Sequence, residues 1–432
     1  MAALVTPLTI SVARVWEGAT CSLDWAAMNP SAGISRNAND GLGALSGVRV
    51  LDCSDARAIY GAKLLADLGA DVVRPEPPEG DPLRARGPFI GDEPGPERSL
   101  WYAYYASSRR FLTLDRDSPE GRDRLRRLAL AADIVIDNGW LPASGIEPEA
   151  LLAERPSLVV VNSTSFGPDG PWRDYLAPDL VASALGGICA TTGDARTPPL
   201  KIHGDLVFVT SGTYIAIGAL AALRHMRESG EGQIVDAAVH EALPTALEHV
   251  LLYAWYSDLV DWAETPVLPR QGSMHFTTVY EVLQAQGGGI MVTPTPDPEA
   301  QLAWLVEEGV HEDLLDEKWQ DPDLRMEYAQ RMMDVMRSWV PTKEVGALFE
   351  EAQARHAPYG RVLPPELLVE NPQLEARDWW QQYQIDGTQT RGPGPPYRFA
   401  RTPWRVAPPE RGDDNEAPAP VNSVLYEIGW TE

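Results

Sequence analysis

A Gly-Asp pair stands directly before a long apolar stretch of the chain. Gly204 and Asp205 precede the run 208–226, whose length and composition predict a helix. A carboxylate at a helix start lies near the positive end of the helix dipole, which favours its ionised form. Such a side chain can act as a nucleophile, or it can cap the helix by accepting a backbone hydrogen bond. In isolation, an Asp before a helix is more often a cap.

Arginine side chains are the second group that could do chemistry. The loop 74–88 carries Arg74, Arg84 and Arg86, and Arg109 and Arg110 stand together before a later strand. The planar guanidinium group suits phosphate because it donates two parallel hydrogen bonds. The net charge of −26 opposes binding of any polyphosphate. Such a ligand would therefore need locally clustered arginines; otherwise these side chains are a solvated surface.

Several common catalytic motifs are missing from the sequence. There is no GxGxxG after the first strand, no GxxxxGK[ST], no GxSxG and no HExxH, and the seven histidines are scattered. Cys21, Cys53 and Cys189 are widely spaced and form no paired motif. The sequence therefore predicts no bound metal, no permanently bound cofactor and no disulfide framework.

Composition limits the partners and the compartment. The chain has 432 residues, 44% hydrophobic and 23% charged, which is ordinary for a globular protein. The strong negative charge argues against nucleic acid and anionic membranes as partners. No uninterrupted apolar run of about 18 residues suggests a membrane span, and the N-terminus does not resemble a signal peptide. We expect a cytoplasmic protein.

The elements that must position these residues alternate along the chain. Short apolar runs at 48–51, 72–73, 111–114, 134–136 and 158–161 predict strands, and helical stretches separate them, among them 56–68 and 119–131. Strands alternating with helices favour a parallel, doubly wound α/β sheet. The predicted fold class is α/β, with a Rossmann-like large domain and a smaller α+β domain.

Composition shifts suggest domain boundaries. Residues 1–45 have no clear periodicity and are predicted to be an N-terminal extension. Residues 46–240 are predicted to form the first part of the large domain, and residues 241–350, with their different mixture of aromatic and helical stretches, the small domain. The proline-rich segment 351–432 is predicted to return to the large domain.

A set of colinear phrases carries a family resemblance. They are LSGVRVLDCS (45–54), LLADLGADVVRPEPPEGDPLRARGP (64–88), SSRRFLTLDRDSPEGRDRL (107–125), ADIVIDN (132–138), TPPLKIHGDLVF (197–208) and GEGQIVDAAVHEA (230–242). In this order and spacing the sequence resembles the family III CoA-transferases (CaiB/BaiF), which include formyl-CoA and carnitine CoA-transferases and α-methylacyl-CoA racemases. The resemblance implies a Rossmann-like large domain, a small domain and an interlocked-ring homodimer.

The resemblance gives Asp205 a role. The family's nucleophilic aspartate follows a glycine between a Pro-Pro-containing segment and a long apolar helix, and Gly204-Asp205 is the match here. It implies that Asp205 attacks an acyl-CoA thioester, forming an anhydride and then an aspartyl-CoA thioester, before a small carboxylic acid accepts the CoA. Coenzyme A and acyl-CoA are then substrates.

The phrase APDLVASALGG (177–187) matches a segment that lines the family's active site. In the racemases this segment carries a His-Asp pair that moves the α-proton, whereas here Pro178 precedes Asp179. Proline cannot accept or donate a proton, so this sequence lacks one of the two bases that the racemases use. Asp179 is predicted either to hydrogen-bond near the nucleophile or to cap its helix.

The resemblance also implies a CoA site and a closing loop. The resemblance assigns CoA binding to several polar residues near the ends of the first strands. It also matches the segment RQGSMHF (270–276), through its glycine, to a loop that closes over the intermediate in some relatives. The residues assigned to CoA binding and to this loop are Arg57, Arg74, Arg109, Arg110, Asn138 and Gly272.

Two alternatives to a homodimeric CoA-transferase stay open. One is a 2-methylacyl-CoA racemase or epimerase. The other is a partner subunit of a heteromeric transferase that does not catalyse alone, which is suggested by departures from the family's CoA-site pattern such as Gly139 in place of an aromatic residue.

Overall fold

A computed structural model describes residues 43–256, 270, 272–273, 279–294, 296–407, 410–411 and 430. By its internal contacts the chain divides into residues 1–41 and residues 42–432. Everything described below belongs to the second unit. The predicted N-terminal extension, 1–45, lies almost entirely outside the described residues.

The bounds of the regular elements follow. The strands are β1 (Arg49–Cys53), β2 (Asp71–Glu76), β3 (Arg110–Thr113), β4 (Ile134–Asp137), β5 (Val159–Thr164), β6 (Ile234–Ala238), β7 (Glu281–Ala285), β8 (Gly288–Val292), β9 (Gly360–Arg361), β10 (Gln381–Ile385), β11 (Thr388–Gly392) and β12 (Glu410–Arg411). The helices are α1 (Ile59–Asp67), α2 (Leu100–Tyr105), α3 (Pro119–Ala131), α4 (Trp140–Ala143), α5 (Pro148–Glu154), α6 (Asp179–Leu185), α7 (Ile188–Thr191), α8 (Leu206–Ser229), α9 (Val239–Ala242), α10 (Glu248–Tyr256), α11 (Pro298–Glu307), α12 (Arg325–Trp339), α13 (Val345–Ala354), α14 (Pro365–Leu368) and α15 (Pro372–Ala376).

Within the described residues, the largest sheet has seven strands in the order β12-β3-β2-β1-β4-β5-β6. Every neighbouring pair in it is parallel. The order from β3 to β6 is that of a dinucleotide-binding sheet, in which the strand order reverses between β1 and β4. The predicted α/β fold class is therefore confirmed. The strands are short apolar runs because both faces of the sheet are covered by helices.

Local signals in the sequence place the helices well. The predicted helix 119–131 coincides with α3, where Pro119 occupies the first turn and the Ser118 hydroxyl accepts a hydrogen bond of 3.0 Å from the Gly121 amide. Proline suits this position because its missing N–H would have no partner in the first turn. The start of α3 is thus set by local chemistry.

Helices α1 and α8 lie together on one face of the sheet and hold each other in register. Their contact is close at Gly61 and Gly212, where a Cβ atom on Gly61 would lie 2.6 Å from the Gly212 carbonyl oxygen. Only glycine permits this approach of two helix backbones. The apolar residues beneath include Ile215, Ala219 and Leu223 of α8. This packing fixes the start of α8, where Asp205 stands.

Helix α8 is also long and apolar enough to span a membrane, with a mean hydropathy of 1.9, and it is the one such helix in the described chain. Half of its most apolar window is buried within the protein. Its buried residues belong to the core that packs on α1 and the sheet. These contacts are those of a core helix.

The opposite face of the sheet is covered by α3, α4 and α5, and the far end of the chain contributes to both faces. Trp404 packs in the core beneath α1 and α8, and Trp430 packs in the core on the α3 side. The Trp430 indole N–H also donates to Asp71 at 2.7 Å. Together with β12, which pairs with β3, these contacts carry the C-terminal segment back to the first sheet.

A separate core surrounds the antiparallel sheet β7-β8-β9 and helices α11 to α13. It is built from large side chains, including Trp304, Trp339 and Tyr359. This is the region where the sequence predicts a smaller α+β domain. The exact domain boundaries after residues 45, 240 and 350 stay predictions.

Candidate active site

The crossover from β5 to β6 brings Asp205 to the carboxyl edge of the large sheet. Helix α8 is the last helix of that crossover and leads directly into β6, so it runs antiparallel to the strands and begins on the side of the sheet where the strands end. The chain enters α8 through Gly204, whose φ of +73° is a left-handed conformation that glycine adopts without strain. Ligands bind at this edge in open parallel sheets. The candidate nucleophile is therefore on the side of the sheet where a substrate binds.

The Asp205 carboxylate is held by two side chains from the segment between β2 and β3. Arg86 Nη2 lies 3.0 Å from Oδ1 and 2.9 Å from Oδ2, and the Trp101 indole N–H donates to Oδ2 at 2.9 Å. The Arg86 guanidinium stacks on the Trp101 ring, 4.2 Å from its centre. The side chains of Asp205 and Arg86 remain 17% and 35% exposed. The carboxylate is thus oriented and also reachable from solvent.

Asp205 does not use its side chain as a helix cap. It occupies the position just before Leu206, the first residue of α8, yet its carboxylate accepts no hydrogen bond from the helix amides. A capping Asp accepts from the second or third amide of its helix. At other helix starts of this protein the cap is made, for example by Ser118 and Asp297. Asp205 therefore lacks the capping hydrogen bond that an Asp at this position commonly makes.

An aromatic wall lines the carboxylate. The rings of Trp101 and Tyr105, on the same face of α2, lie 4.4 Å apart. Burial and the nearby charge of Asp205 raise the pKa of Tyr105 to about 12, so its phenol stays protonated at neutral pH. This wall lowers the exposure of Asp205 to water.

Lys201 connects Asp179 to the turn that carries the Gly-Asp pair. Lys201 Nζ lies 2.6 Å from Asp179 Oδ2 and forms an ion pair with it, but the two groups are not aligned for a hydrogen bond. The same ammonium group donates to the carbonyl oxygens of Ile202 and Gly204. The structure thus brings Asp179, the first residue of α6, close to the backbone of Asp205. Whether Asp179 contacts a substrate stays a prediction.

Arg57 and Asn138 lie where β1 and β4 end, at the point where the strand order reverses. The Asn138 side chain accepts from the Asp55 amide at 3.0 Å and donates to the Ser163 carbonyl at 2.8 Å. Arg57 pairs with the Asp55 carboxylate at 2.6 Å and is about a quarter exposed. Parallel sheets bind nucleotides at this place. Both residues are positioned by the fold beside the expected ligand crevice, and their contact with CoA stays a prediction.

Arg74 and Arg109 lie in the protein interior. Arg74 is paired with Asp52 at 3.0 Å and with Asp81 at 2.6 Å, and Arg109 Nε lies 2.7 Å from Asp52, although not aligned as a hydrogen bond. Burial alone would raise the pKa of Asp52, but Arg74, Arg109 and the hydrogen bonds from Ser54 outweigh burial and hold that pKa below its ordinary value. Both arginines belong to a buried ion-pair network, and their contact with CoA stays a prediction.

Arg110 and Gly272 have local partners as well. Arg110 pairs with Asp71 at 2.6 Å at the surface of the sheet. Gly272 has a φ of +65°, and its amide donates to the Gly193 carbonyl at 3.0 Å. The rest of the predicted closing loop, apart from Arg270 and Ser273, lies outside the described residues. Its closure stays a prediction.

A cavity of about 520 Å³ lies beside α2 but on another face of that helix. Its lining includes Arg84, Ser99, Tyr102 and Gln384, and none of Arg86, Trp101 and Asp205. The Tyr102 hydroxyl and Arg84 both contact Glu76. This cavity is separate from the Asp205 carboxylate, so it does not identify the catalytic position.

Three residues that contact Asp205 or Asp179 are not among the site residues predicted from the sequence. They are Arg86, Trp101 and Lys201. Arg86 belongs to the arginine-bearing loop that the sequence indicates, but nothing local connects it to Asp205, 119 residues away. Lys201 offered a clearer signal, since it is one of few lysines and stands four residues before Asp205.

Comparison with known proteins decides the family. The sequence model of CoA-transferase family III matches residues 45–415. The chain belongs to CoA-transferase family III. Its relatives within the family include subunit BbsE of succinyl-CoA:(R)-benzylsuccinate CoA-transferase of Thauera aromatica, 32% identical over 402 residues, which cover 88% of this chain and 93% of BbsE.

Other family III proteins agree with this assignment. The formyl-CoA:oxalate CoA-transferase of Streptomyces avermitilis is 29% identical over 354 residues, covering 78% of this chain and 84% of that one. The crystal structure of a CaiB/BaiF family protein from Brucella suis superposes with a TM-score of 0.72 and 27% identity, covering 84% of this chain and 95% of that chain. The predicted family is confirmed, and with it an enzyme that transfers CoA between acids.

Proposed function

We propose that this CoA-transferase uses Asp205 as its nucleophile and passes through an aspartyl anhydride and an aspartyl-CoA thioester. The observation that carries the proposal is the hydrogen bonding of Asp205. Its carboxylate stands at the start of α8, remains partly exposed, and is oriented by Arg86 and Trp101 instead of capping the helix. A carboxylate so held has a fixed orientation toward solvent, which a nucleophile requires.

The proposed reaction exchanges bonds without a net change in protons. An Asp205 oxygen attacks the thioester carbonyl carbon of the donor, the C–S bond breaks, and CoA leaves as a thiolate. The thiolate then attacks the Asp205 carbonyl carbon, the anhydride C–O bond breaks, and the donor acid leaves as a carboxylate. An acceptor carboxylate repeats both steps in reverse order. The substrates are an acyl-CoA and a small carboxylic acid, and we place the reaction in the cytoplasm.

The direct test is intact mass measurement during single turnover. The purified protein is mixed with a panel of acyl-CoAs, beginning with succinyl-CoA and formyl-CoA because relatives are named for them. We expect an adduct of CoA on Asp205, together with a loss of turnover of at least about a thousandfold in Asp205→Ala.

A matched control tests whether the loss of any one carboxylate is enough to stop the reaction. Asp123→Asn removes a carboxylate from an exposed pair with Arg127 on α3, and it should keep the adduct and the turnover. Full transferase activity in Asp205→Ala would overturn the proposal. So would a CoA adduct that maps to another carboxylate.

Assembly with a homologous subunit is a second proposal, and the relative from Thauera aromatica favours it because its name describes it as a subunit. The chain also presents apolar side chains on α6 and α8, including Leu180, Val181 and Ile217, and Leu176 beside them is 86% exposed. Such a surface is typical of a protein interface. Light scattering and activity of the isolated chain test it: an active homodimer would remove the need for a second subunit.

A further inference from the structure

The contact between Arg86 and Asp205 has a consequence for the proposed reaction, on which this inference rests. In the free enzyme the guanidinium is paired with the Asp205 carboxylate through Nη2. Each covalent intermediate converts that carboxylate to a neutral anhydride or thioester carbonyl. Arg86 then loses its counter-charge while it remains two-thirds buried against Trp101. A partly buried cation without a partner is costly, so another anion is favoured there.

The reaction supplies such an anion at the same moment. When the CoA thiolate attacks the Asp205 carbonyl, the donor acid leaves as a carboxylate, and an acceptor carboxylate must later take its place. Throughout the aspartyl-CoA stage, therefore, the free carboxylate belongs to the substrate and not to the enzyme. The acid must also be close to the Asp205 carbonyl carbon to attack it, which is where Arg86 and the Trp101 indole N–H point.

Arg86 has donors to spare for this exchange. A guanidinium group has five N–H donors on three nitrogens. Only Nη2 contacts Asp205, and Nε and Nη1 have no hydrogen-bond partner among the residues that the structure describes. Arg86 is contacted through its backbone carbonyl by Ser99, which holds the loop without using the guanidinium. The planar group can therefore engage an incoming carboxylate before it releases another.

We propose that Arg86 and Trp101 form one carboxylate-binding site that Asp205 occupies in the free enzyme and the substrate acid occupies when Asp205 carries CoA. Donor and acceptor acids then use the same position in turn. The site selects for a carboxylate, because the Arg86 guanidinium supplies the charge and the Trp101 N–H the second hydrogen bond. Neutral acyl amides and esters are excluded as acceptors.

The exchange can be tested without turnover, because Asp205→Ala removes the side-chain carboxylate and leaves Arg86 and Trp101 free to bind a small carboxylate such as acetate. Isotope-labelled acetate is titrated into the full-length protein and its binding followed by NMR, with acetamide as the neutral comparison. We expect acetate to bind Asp205→Ala at least about tenfold more tightly than the unsubstituted protein, because a hydrogen bond to a charged group is among the stronger ones. Acetamide binding should not change.

Two further variants identify the donors. Arg86→Gln in the Asp205→Ala background should return acetate affinity to that of the unsubstituted protein. The matched control is Arg337→Gln in the same background, since Arg337 has similar exposure and pairs with Glu281 near the second sheet. It should leave acetate binding unchanged. Trp101→Phe keeps the ring beneath the guanidinium and removes one donor, so it should weaken acetate binding less than Arg86→Gln.

Equal acetate binding by Asp205→Ala, the double variant and the unsubstituted protein would overturn the exchange. If Asp205→Ala does not fold, Asp205→Gly replaces it, because glycine is tolerated at a helix start. The outcome is separate from that of the proposed function. Loss of the acetate difference with a CoA adduct still formed on Asp205 removes only the exchange, whereas absence of the adduct removes the proposed reaction and with it the catalytic meaning of the site.

Discussion

Two clusters of arginine and carboxylate lie near the same edge of the large sheet and differ in how completely they are paired. In the interior cluster, Arg74 lies between Asp52 and Asp81, and Arg109 also approaches Asp52. In the outer cluster, Arg86 contacts Asp205 through a single nitrogen and both side chains are partly exposed. All three guanidinium nitrogens of Arg74 donate hydrogen bonds and Arg109 is fully buried, whereas Arg86 is partly exposed and, within the described residues, donates through Nη2 alone. Incomplete pairing, more than charge or position along the chain, distinguishes a binding arginine from a structural one.

The interior cluster should be the more sensitive of the two to loss of its arginine. Arg74→Met leaves the Asp52 and Asp81 carboxylates buried without their shared partner, so we expect a loss of about 3–5 kcal/mol in the free energy of unfolding. Urea denaturation measures it. Arg224→Met removes an exposed pair with Glu228 on α8 and should cost less than about 1 kcal/mol. Similar stabilities for the two variants would contradict the role assigned to the interior cluster.

In the outer cluster, loss of the arginine should lower activity more than stability. Arg86→Gln removes the charge that faces Asp205, so we expect turnover to fall by about tenfold or more. The KM for the acceptor acid should rise more than that for the acyl-CoA. Because Arg86 is partly exposed, the free energy of unfolding should change by less than about 1 kcal/mol. Loss of stability comparable to that of Arg74→Met would remove the distinction between the clusters.

Acid should weaken the interior cluster through Asp52, the smallest of the three effects. The pKa of Asp52 is held below its ordinary value, so its contribution to stability is present above the unfolded-state pKa of about 3.9 and is lost as pH falls through the folded value. The difference in free energy of unfolding between the unsubstituted protein and Asp52→Asn should therefore narrow below about pH 4. A difference that stays constant down to acid unfolding would contradict the ion-pair assignment.

The sequence could predict the sheet because strands and helix starts rest on local signals, whereas the role of Asp205 comes from the family resemblance and stays a prediction. Strand runs and helix starts such as Ser118-Pro119 are visible within a few residues, and Asp205 is marked by a glycine and a long apolar helix. The arginine partners could not be predicted in the same way. Arg74 meets Asp52 from the neighbouring strand, and Arg86 meets Asp205 from a distant part of the chain.

The residue types of Arg74 and Arg109 predict a phosphate ligand, whereas in the structure both lie in the interior and approach the Asp52 carboxylate. Residue type predicts which ligands a guanidinium can bind, whereas burial decides whether it has a donor available. A sequence does not give burial for a single arginine on a strand. The same limit left out Arg86 and Trp101, whose importance becomes visible only once α2 and α8 are brought together.

The edge strand β12 has a consequence for how the protein is made on the ribosome. It pairs with β3 although some 300 residues separate them, and Trp404 fills the core beneath α1. Until residue 411 has left the exit tunnel, the growing chain exposes the edge of β3 and an incomplete core, while β1 to β6 are already available to fold. Slow pairing across such a separation exposes the nascent chain to aggregation. Chaperone capture of chains stalled before residue 404, compared with chains stalled beyond the end of β12, would reveal this interval during synthesis.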